Sequence, residues 1–232
     1  MSQTISAVSV AGPVRLKYVT FAVIAAMMIY VIYHNERFLI DSNHPVWLHY
    51  EPFKWWLLPH GLAGACVLLL APMQFIDGLR QRYTKVHRAL GTLYVTAVFV
   101  LAPIGVWIQY MDEAQGAARS FTIETMIQSG ILMITTGLGC WFALRRRFAY
   151  HRQWMIRSYA VALSFLAARV ILGLTGLDTP PDWHVIETVV WSCTAASLLV
   201  GDIANQLYER STAVRRPVAL PAGKRGIALI PG

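Results

Sequence analysis

Six long apolar runs, separated by short polar segments, dominate the chain. They cover approximately residues 15–34, 55–76, 87–110, 121–144, 153–174 and 183–207. An apolar run of about 18 or more residues with few charges is typical of a helix that crosses a membrane. The pattern predicts an all-α integral membrane protein with six transmembrane helices. Because the connecting segments are short, we expect spans two to five to pack as a central four-helix bundle flanked by spans one and six.

The same pattern divides the chain into three parts. Residues 1–14 form a cytoplasmic N-terminus, and residues 15–210 form the six-helix transmembrane domain. Residues 211–232 contain three prolines and scattered basic residues but few large apolar side chains. Such a composition cannot bury enough apolar surface to fold alone, so this segment is predicted to be a disordered basic cytoplasmic tail.

Composition supports the membrane assignment and excludes a nucleic-acid-binding role. The 232 residues are 56% hydrophobic and 14% charged, whereas soluble domains contain about 25% charged residues. The net charge of +8 does not indicate a nucleic-acid partner, because the lysines and arginines are grouped in the polar segments between apolar runs. Membrane lipid is the expected immediate partner.

The positions of the basic residues predict the orientation. With a cytoplasmic N-terminus, 16 of the 20 lysines and arginines lie on the inner side and three on the outer side, and Arg169 lies within a span. Positive charge favours the cytoplasmic side of membrane proteins. We therefore expect a bacterial cytoplasmic (inner) membrane protein with both termini in the cytoplasm. Trp55, Trp56 and Trp107 fall at the outer boundary, where tryptophan is enriched.

Two histidines begin spans three and five at the inner side, and each is followed by an arginine. His87 shares a helical stripe with Gly91 and Tyr94, and His151 shares one with Met155, Ser158 and Ala162. Spans three and five occupy opposite corners of a four-helix bundle, so both imidazoles are expected to face its axis. Two imidazoles across an axis are the ligands of a b-type haem.

This geometry predicts a tentative haem b site with five residues. His87 and His151 would ligate the haem iron, and Gly91 would leave space beside the first histidine. Arg88 and Arg152 would offset the charge of the haem propionates. An electron carrier of this kind would exchange electrons with a quinone or a redox partner protein.

A second group of ionisable residues lies nearer the outer side. It comprises His60, Arg169, Glu187 and Glu124. Ionisable residues within spans are costly and indicate function, so these four are interpreted as an outer polar pocket. A structural ion pair between Arg169 and one of the two carboxylates is the alternative interpretation.

The chain resembles an uncharacterised bacterial family of multipass predicted membrane proteins. The resemblance rests on "PHGLAGACVLLLAPMQF", "KVHRALGTLYV" and "HRQWMIRSYAVALSFLAARV". It implies the fold and carries no assigned reaction. A more distant resemblance to transmembrane cytochromes b of the two-haem type implies that His87 and His151 form an inner axial pair.

Three functions follow from these observations. The first is the haem electron carrier. The second is a non-redox protein that binds or moves a small anion, a proton or a lipid through the outer polar pocket. The third is an assembly or interaction subunit without catalysis. The chain contains no phosphate-binding loop, nucleophile elbow or dinucleotide fingerprint, which disfavours soluble enzyme chemistry.

Overall fold

The computed structural model describes residues 13–34, 41, 43–44, 46–177 and 182–214, and all regular structure among them is helical. A 3₁₀ turn, Glu51–Phe53, precedes the third α-helix. The α-helices are α1 (Pro13–His34), α2 (Val46–Tyr50), α3 (Lys54–Gln74), α4 (Asp77–Arg82), α5 (Thr84–Glu113), α6 (Arg119–Leu144), α7 (Phe148–Thr175) and α8 (Trp183–Val214).

Five of these helices, α3, α5, α6, α7 and α8, are long and apolar enough to cross a membrane. They correspond to predicted spans two to six. In α1, the apolar part is the shorter segment Tyr18–His34. The protein is thus a membrane protein with several candidate spans, five of which meet both criteria of length and hydropathy.

The central helices pack as a closed ring. Helices α3, α5, α6 and α7 contact one another in chain order, and α7 also contacts α3. Helix α8 packs on α7 and α6, and α1 packs on α7. The ring therefore places α5 diagonally opposite α7, as expected for spans three and five, and α1 and α8 flank it.

The two ends of the bundle differ in chemistry. At one end, called the basic end, α3, α6 and α8 finish and α5 and α7 begin, and Arg80, Arg88 and Arg145 to Arg147 lie there. At the opposite end, Trp55, Trp56 and Trp107 are exposed, and the rings of Trp56 and Trp107 are 6.2 Å apart. An exposed aromatic girdle of this kind is typical of a membrane–water boundary.

Many large apolar side chains are exposed on the candidate spans, and small polar side chains share the core with buried apolar ones. Leu69, Phe99, Ile134 and Leu199 are among many exposed large apolar residues of the candidate spans. Buried side chains include serines and threonines on α6, α7 and α8. Exposed apolar surface on this scale suits a lipid environment, and small polar residues are enriched where membrane helices pack together.

Several helices extend beyond the apolar runs that predicted them. Helix α5 begins at Thr84 and ends at Glu113, and α8 continues to Val214, past the predicted start of the tail at residue 211. Polar residues at helix ends keep their backbone hydrogen bonds outside the apolar layer, and hydropathy does not register them. The predicted N-terminal segment to residue 12 and the tail from residue 215 lie outside the described residues.

Candidate functional site

A buried hydrogen-bonded chain of hydroxyl groups crosses the bundle axis. The Tyr94 hydroxyl of α5 is 2.8 Å from Ser158 Oγ of α7, and Ser158 Oγ is 2.7 Å from Thr136 Oγ1 of α6. All three side chains are fully buried. This polar layer joins the three helices at one level of the bundle.

The direction of each hydrogen bond in this layer follows from the acceptor at the end of the chain, the backbone carbonyl of Leu132. Thr136 Oγ1 donates to the carbonyl of Leu132 at 2.7 Å, and a carbonyl can only accept. Thr136 has one hydroxyl proton, so it accepts from Ser158, which in turn accepts from Tyr94. The chain therefore begins at the Tyr94 hydroxyl and ends at a backbone carbonyl.

The layer fixes how the two histidine stripes face each other. Tyr94 lies seven residues after His87, and Ser158 lies seven residues after His151, which is about 10.5 Å along each helix. Because Tyr94 and Ser158 touch, the stripes of α5 and α7 face one another across the bundle. His87 and His151 are close enough to interact electrostatically.

A backbone carbonyl of α6 orients the His151 ring. His151 Nδ1 is 2.8 Å from the Gly139 oxygen, so Nδ1 carries the proton and donates it. Its other nitrogen, Nε2, is then the acceptor atom. A histidine that binds a metal commonly donates its second N–H to such a carbonyl. The Gly139 position is close-packed, since a Cβ there would lie 2.6 Å from Met155 Sδ.

The surroundings of His87 contain unsatisfied polar atoms. His87 Nδ1 and Gln74 Nε2 are buried without a hydrogen-bond partner. A Cβ at Gly91, one turn from His87, would lie 3.6 Å from Gln74 Oε1. Buried polar atoms are nearly always satisfied by protein groups or by ordered water, so these two atoms leave hydrogen-bonding capacity beside His87. His87 and His151 interact electrostatically, and His151 has its Nδ1 hydrogen-bonded; two histidines are the donor type that a haem b would use.

Basic residues surround this pair unevenly. Arg80 and Arg88 both interact electrostatically with His87, and Arg88 is exposed at the basic end. A surface cavity of about 440 Å³ is lined by residues 82–86, which precede His87 in the sequence. The Arg152 guanidinium instead lies 4.0 Å from the centre of the Tyr208 ring on α8. Arg80 is itself paired with Asp77, with 3.1 Å between Nη2 and Oδ1.

The four residues of the predicted outer polar pocket lie toward the end of the bundle opposite the basic end, in two separate groups. His60 on α3 lies against α5, where a Cβ at Gly105 would be 3.0 Å from its Cε1. Arg169 on α7 interacts electrostatically with His60, and its guanidinium lies 5.0 Å from the centre of the Phe165 ring. His60 and Arg169 form the first part.

The two glutamates form the second part, at the α6–α8 interface. Thr194 Oγ1 of α8 donates to Glu124 Oε1 at 2.6 Å, and Ser120 of α6 donates to Glu187 of α8. Among the described residues, no hydrogen bond or ion pair joins either carboxyl group to His60 or Arg169. Each glutamate bonds instead to a hydroxyl group, although one of the two was the expected partner of Arg169.

Sequence reasoning did not single out Thr136, Gly139, Ser120 or Thr194. Thr136 and Ser129 are seven residues apart and buried on the same side of α6, and this recurrence of small polar residues was the available signal. Glycine and hydroxyl residues are common in membrane helices, so the signal does not identify a particular contact.

Comparison with known proteins places the chain in a family. Residues 57–204 match a family model described as "Predicted membrane protein (DUF2306)". This range includes α5, α6 and α7, the histidines His87 and His151, and all four residues of the predicted outer pocket. Searches of curated proteins and of solved structures give no match. The matched segment covers more than half of the chain, and the protein therefore belongs to this family of predicted membrane proteins.

Proposed function

We propose that the protein is a b-type haem electron carrier whose site lies between α5 and α7 at the basic end. The observation that carries the proposal is the alignment of the two histidine stripes by the 2.8 Å contact between Tyr94 and Ser158. That contact supports a position for His87 and His151 on facing sides of one bundle. The unsatisfied His87 Nδ1 and the hydrogen-bonded His151 Nδ1 add to it.

Each residue of the site has a separate task. His87 and His151 would hold the haem iron through ring nitrogens, and the Gly139 carbonyl holds the His151 ring in one tautomer. Arg80 and Arg88 would provide positive charge for the propionates. The polar layer of Tyr94, Ser158 and Thr136 closes the bundle above the site and contains no exposed side chain. A bound haem b supplies reversible one-electron chemistry, with a quinone or a redox partner protein as the expected electron donor or acceptor.

The haem content of purified variants tests the assignment. We expect about one haem per chain in the wild type and loss of haem in His87→Ala and His151→Ala. His184→Ala is the matched control, because His184 is exposed at the opposite end. Haem retained in both site variants, or a wild type without haem in cells supplied with a haem precursor, would exclude the site.

We also propose that α1 is the sixth span and that the basic end faces the cytoplasm of a bacterial inner membrane. Helix α1 packs on α7, where a Cβ at Gly173 would lie 2.6 Å from the Tyr30 hydroxyl. This contact supports a transmembrane position for α1. Reporter domains fused after residue 214 should be active only as cytoplasmic reporters. Activity of a periplasmic reporter at that position would reverse the orientation.

A further inference from the structure

The interface of α6 and α8 contains two stacked pairs of a carboxyl and a hydroxyl group. In the first pair Ser120 of α6 donates to Glu187 of α8. In the second pair the roles are exchanged, and Thr194 of α8 donates to Glu124 of α6. Glu124 follows Ser120 by four residues and Thr194 follows Glu187 by seven. The two pairs therefore lie at successive depths from the end of the bundle opposite the basic end.

Glu124 is the more deeply buried of the two carboxyl groups. Its side chain is fully buried, five residues into α6, which is about 7.5 Å along the helix. Oε1 accepts from Thr194, and Oε2 is buried without a hydrogen-bond partner. Glu187, in contrast, is half-buried near the start of α8, where it is closer to water.

The charges around Glu124 do not stabilise an ionised carboxylate. The other ionisable groups near this end on the helices packed against α6, and on α6 itself, are Tyr110, Asp112 and Glu113 of α5, Arg119 of α6, Arg169 of α7, and His184, Glu187 and Cys193 of α8. Of these, Cys193 interacts electrostatically with Glu124. No cation among the described residues pairs with Glu124. A buried carboxylate without a cation is strongly disfavoured, and these surroundings therefore favour the neutral carboxylic acid at this position.

A structural hydrogen bond alone does not require a carboxyl group here. Between α6 and α7, Gln128 Nε2 donates to Ser164 Oγ at 2.7 Å, so an amide makes an equivalent contact on the same helix. A carboxyl group differs from an amide in that it can release and bind a proton. An acidic residue at this depth is costly to retain, which favours a role that depends on that property.

We propose that Glu124 is a proton-binding site that exchanges with the water at the opposite end through Glu187. The proton is bound as an O–H group on Oε2, since Oε1 accepts from Thr194. On release, the O–H bond breaks, the electron pair stays on the Glu124 carboxylate, and the proton passes to the Glu187 carboxylate and from there to water. The hydroxyl groups of Ser120 and Thr194 can both donate and accept, so they can follow the change in charge.

Infrared difference spectroscopy of the purified protein tests the proposal without any need for haem. We expect a carbonyl band of a protonated carboxylic acid near neutral pH that shifts in deuterated water. The band should be lost in Glu124→Gln and retained in Glu113→Gln. In Glu187→Gln the band should remain, and its deuterium shift should develop severalfold more slowly.

Each alternative result overturns a defined part of the proposal. A band that survives in Glu124→Gln overturns the site, and unchanged exchange in Glu187→Gln overturns the route. If Glu124→Gln does not fold, the wild type can be treated with dicyclohexylcarbodiimide, which modifies protonated carboxyl groups in apolar surroundings. Modification at Glu124 found by mass spectrometry supports the site, and its absence there overturns it. These results are independent of the haem measurements.

Discussion

The polar layer across the bundle axis makes an asymmetric prediction for two single substitutions. Tyr94→Phe removes the first donor of the chain, while Ser158 remains bonded to Thr136. Ser158→Ala leaves the Tyr94 hydroxyl fully buried without its partner. A lost hydrogen bond costs about 0.5–1.5 kcal/mol, and a buried group left unsatisfied costs about 1–3 kcal/mol. We therefore expect Ser158→Ala to destabilise the protein more than Tyr94→Phe.

The double variant provides the sharper measurement. Once Ser158 is alanine, removal of the Tyr94 hydroxyl eliminates the unsatisfied group, so the double variant should be no less stable than Ser158→Ala alone. The two substitutions should thus be coupled by about 0.6 kcal/mol or more, the average for hydrogen bonds between membrane helices. Unfolding by denaturing detergent in mixed micelles, followed by tryptophan fluorescence, gives each free energy of unfolding. Strictly additive effects, or a larger loss for Tyr94→Phe, would refute the contact.

Two further substitutions test the packing at either end. Gly105→Ala places a Cβ 3.0 Å from His60 Cε1 and should destabilise the protein by about 1–3 kcal/mol, the usual cost of overpacking. Gly61→Ala is the control, because nothing lies within 4 Å of its Cβ, and equal stability of the two variants would contradict the close approach. Asp202→Asn removes a partly exposed ion pair with Arg157, in which Nε and Oδ1 are 2.7 Å apart. The loss in the same unfolding assay should stay below about 1 kcal/mol and shrink as salt is added; a larger, salt-independent loss would contradict this.

The long helices were predictable because a single property, the hydropathy of their side chains, determines where they lie. Apolar runs place α3, α6 and α7 within a few residues of their observed ends, since a bilayer favours apolar side chains over a fixed thickness. Helix α4, Asp77–Arg82, was not predicted. It has one turn and a half of mostly polar residues, and a local ion pair of Arg80 with Asp77 leaves no signal in hydropathy.

The contacts of the candidate sites were predictable only where the spacing of residues along one helix was enough to identify the face that makes the contact. Tyr94, on the stripe of α5 that starts at His87, does contact Ser158, on the stripe of α7 that starts at His151. The partners of Glu124 and Glu187 depend on the rotation of α8 against α6, which the packing of complete helices determines. No spacing within one helix indicates that Thr194, rather than Arg169, reaches Glu124.

We propose that His87 and His151 hold one haem b between α5 and α7. The most direct measurement is the dithionite-reduced minus oxidised absorbance spectrum of the detergent-purified wild type beside His151→Ala. We expect a sharp alpha band of low-spin, bis-histidine haem b in the wild type and its loss in the variant. The same band at full height in His151→Ala, or a colourless wild type after expression with ample haem, would contradict it.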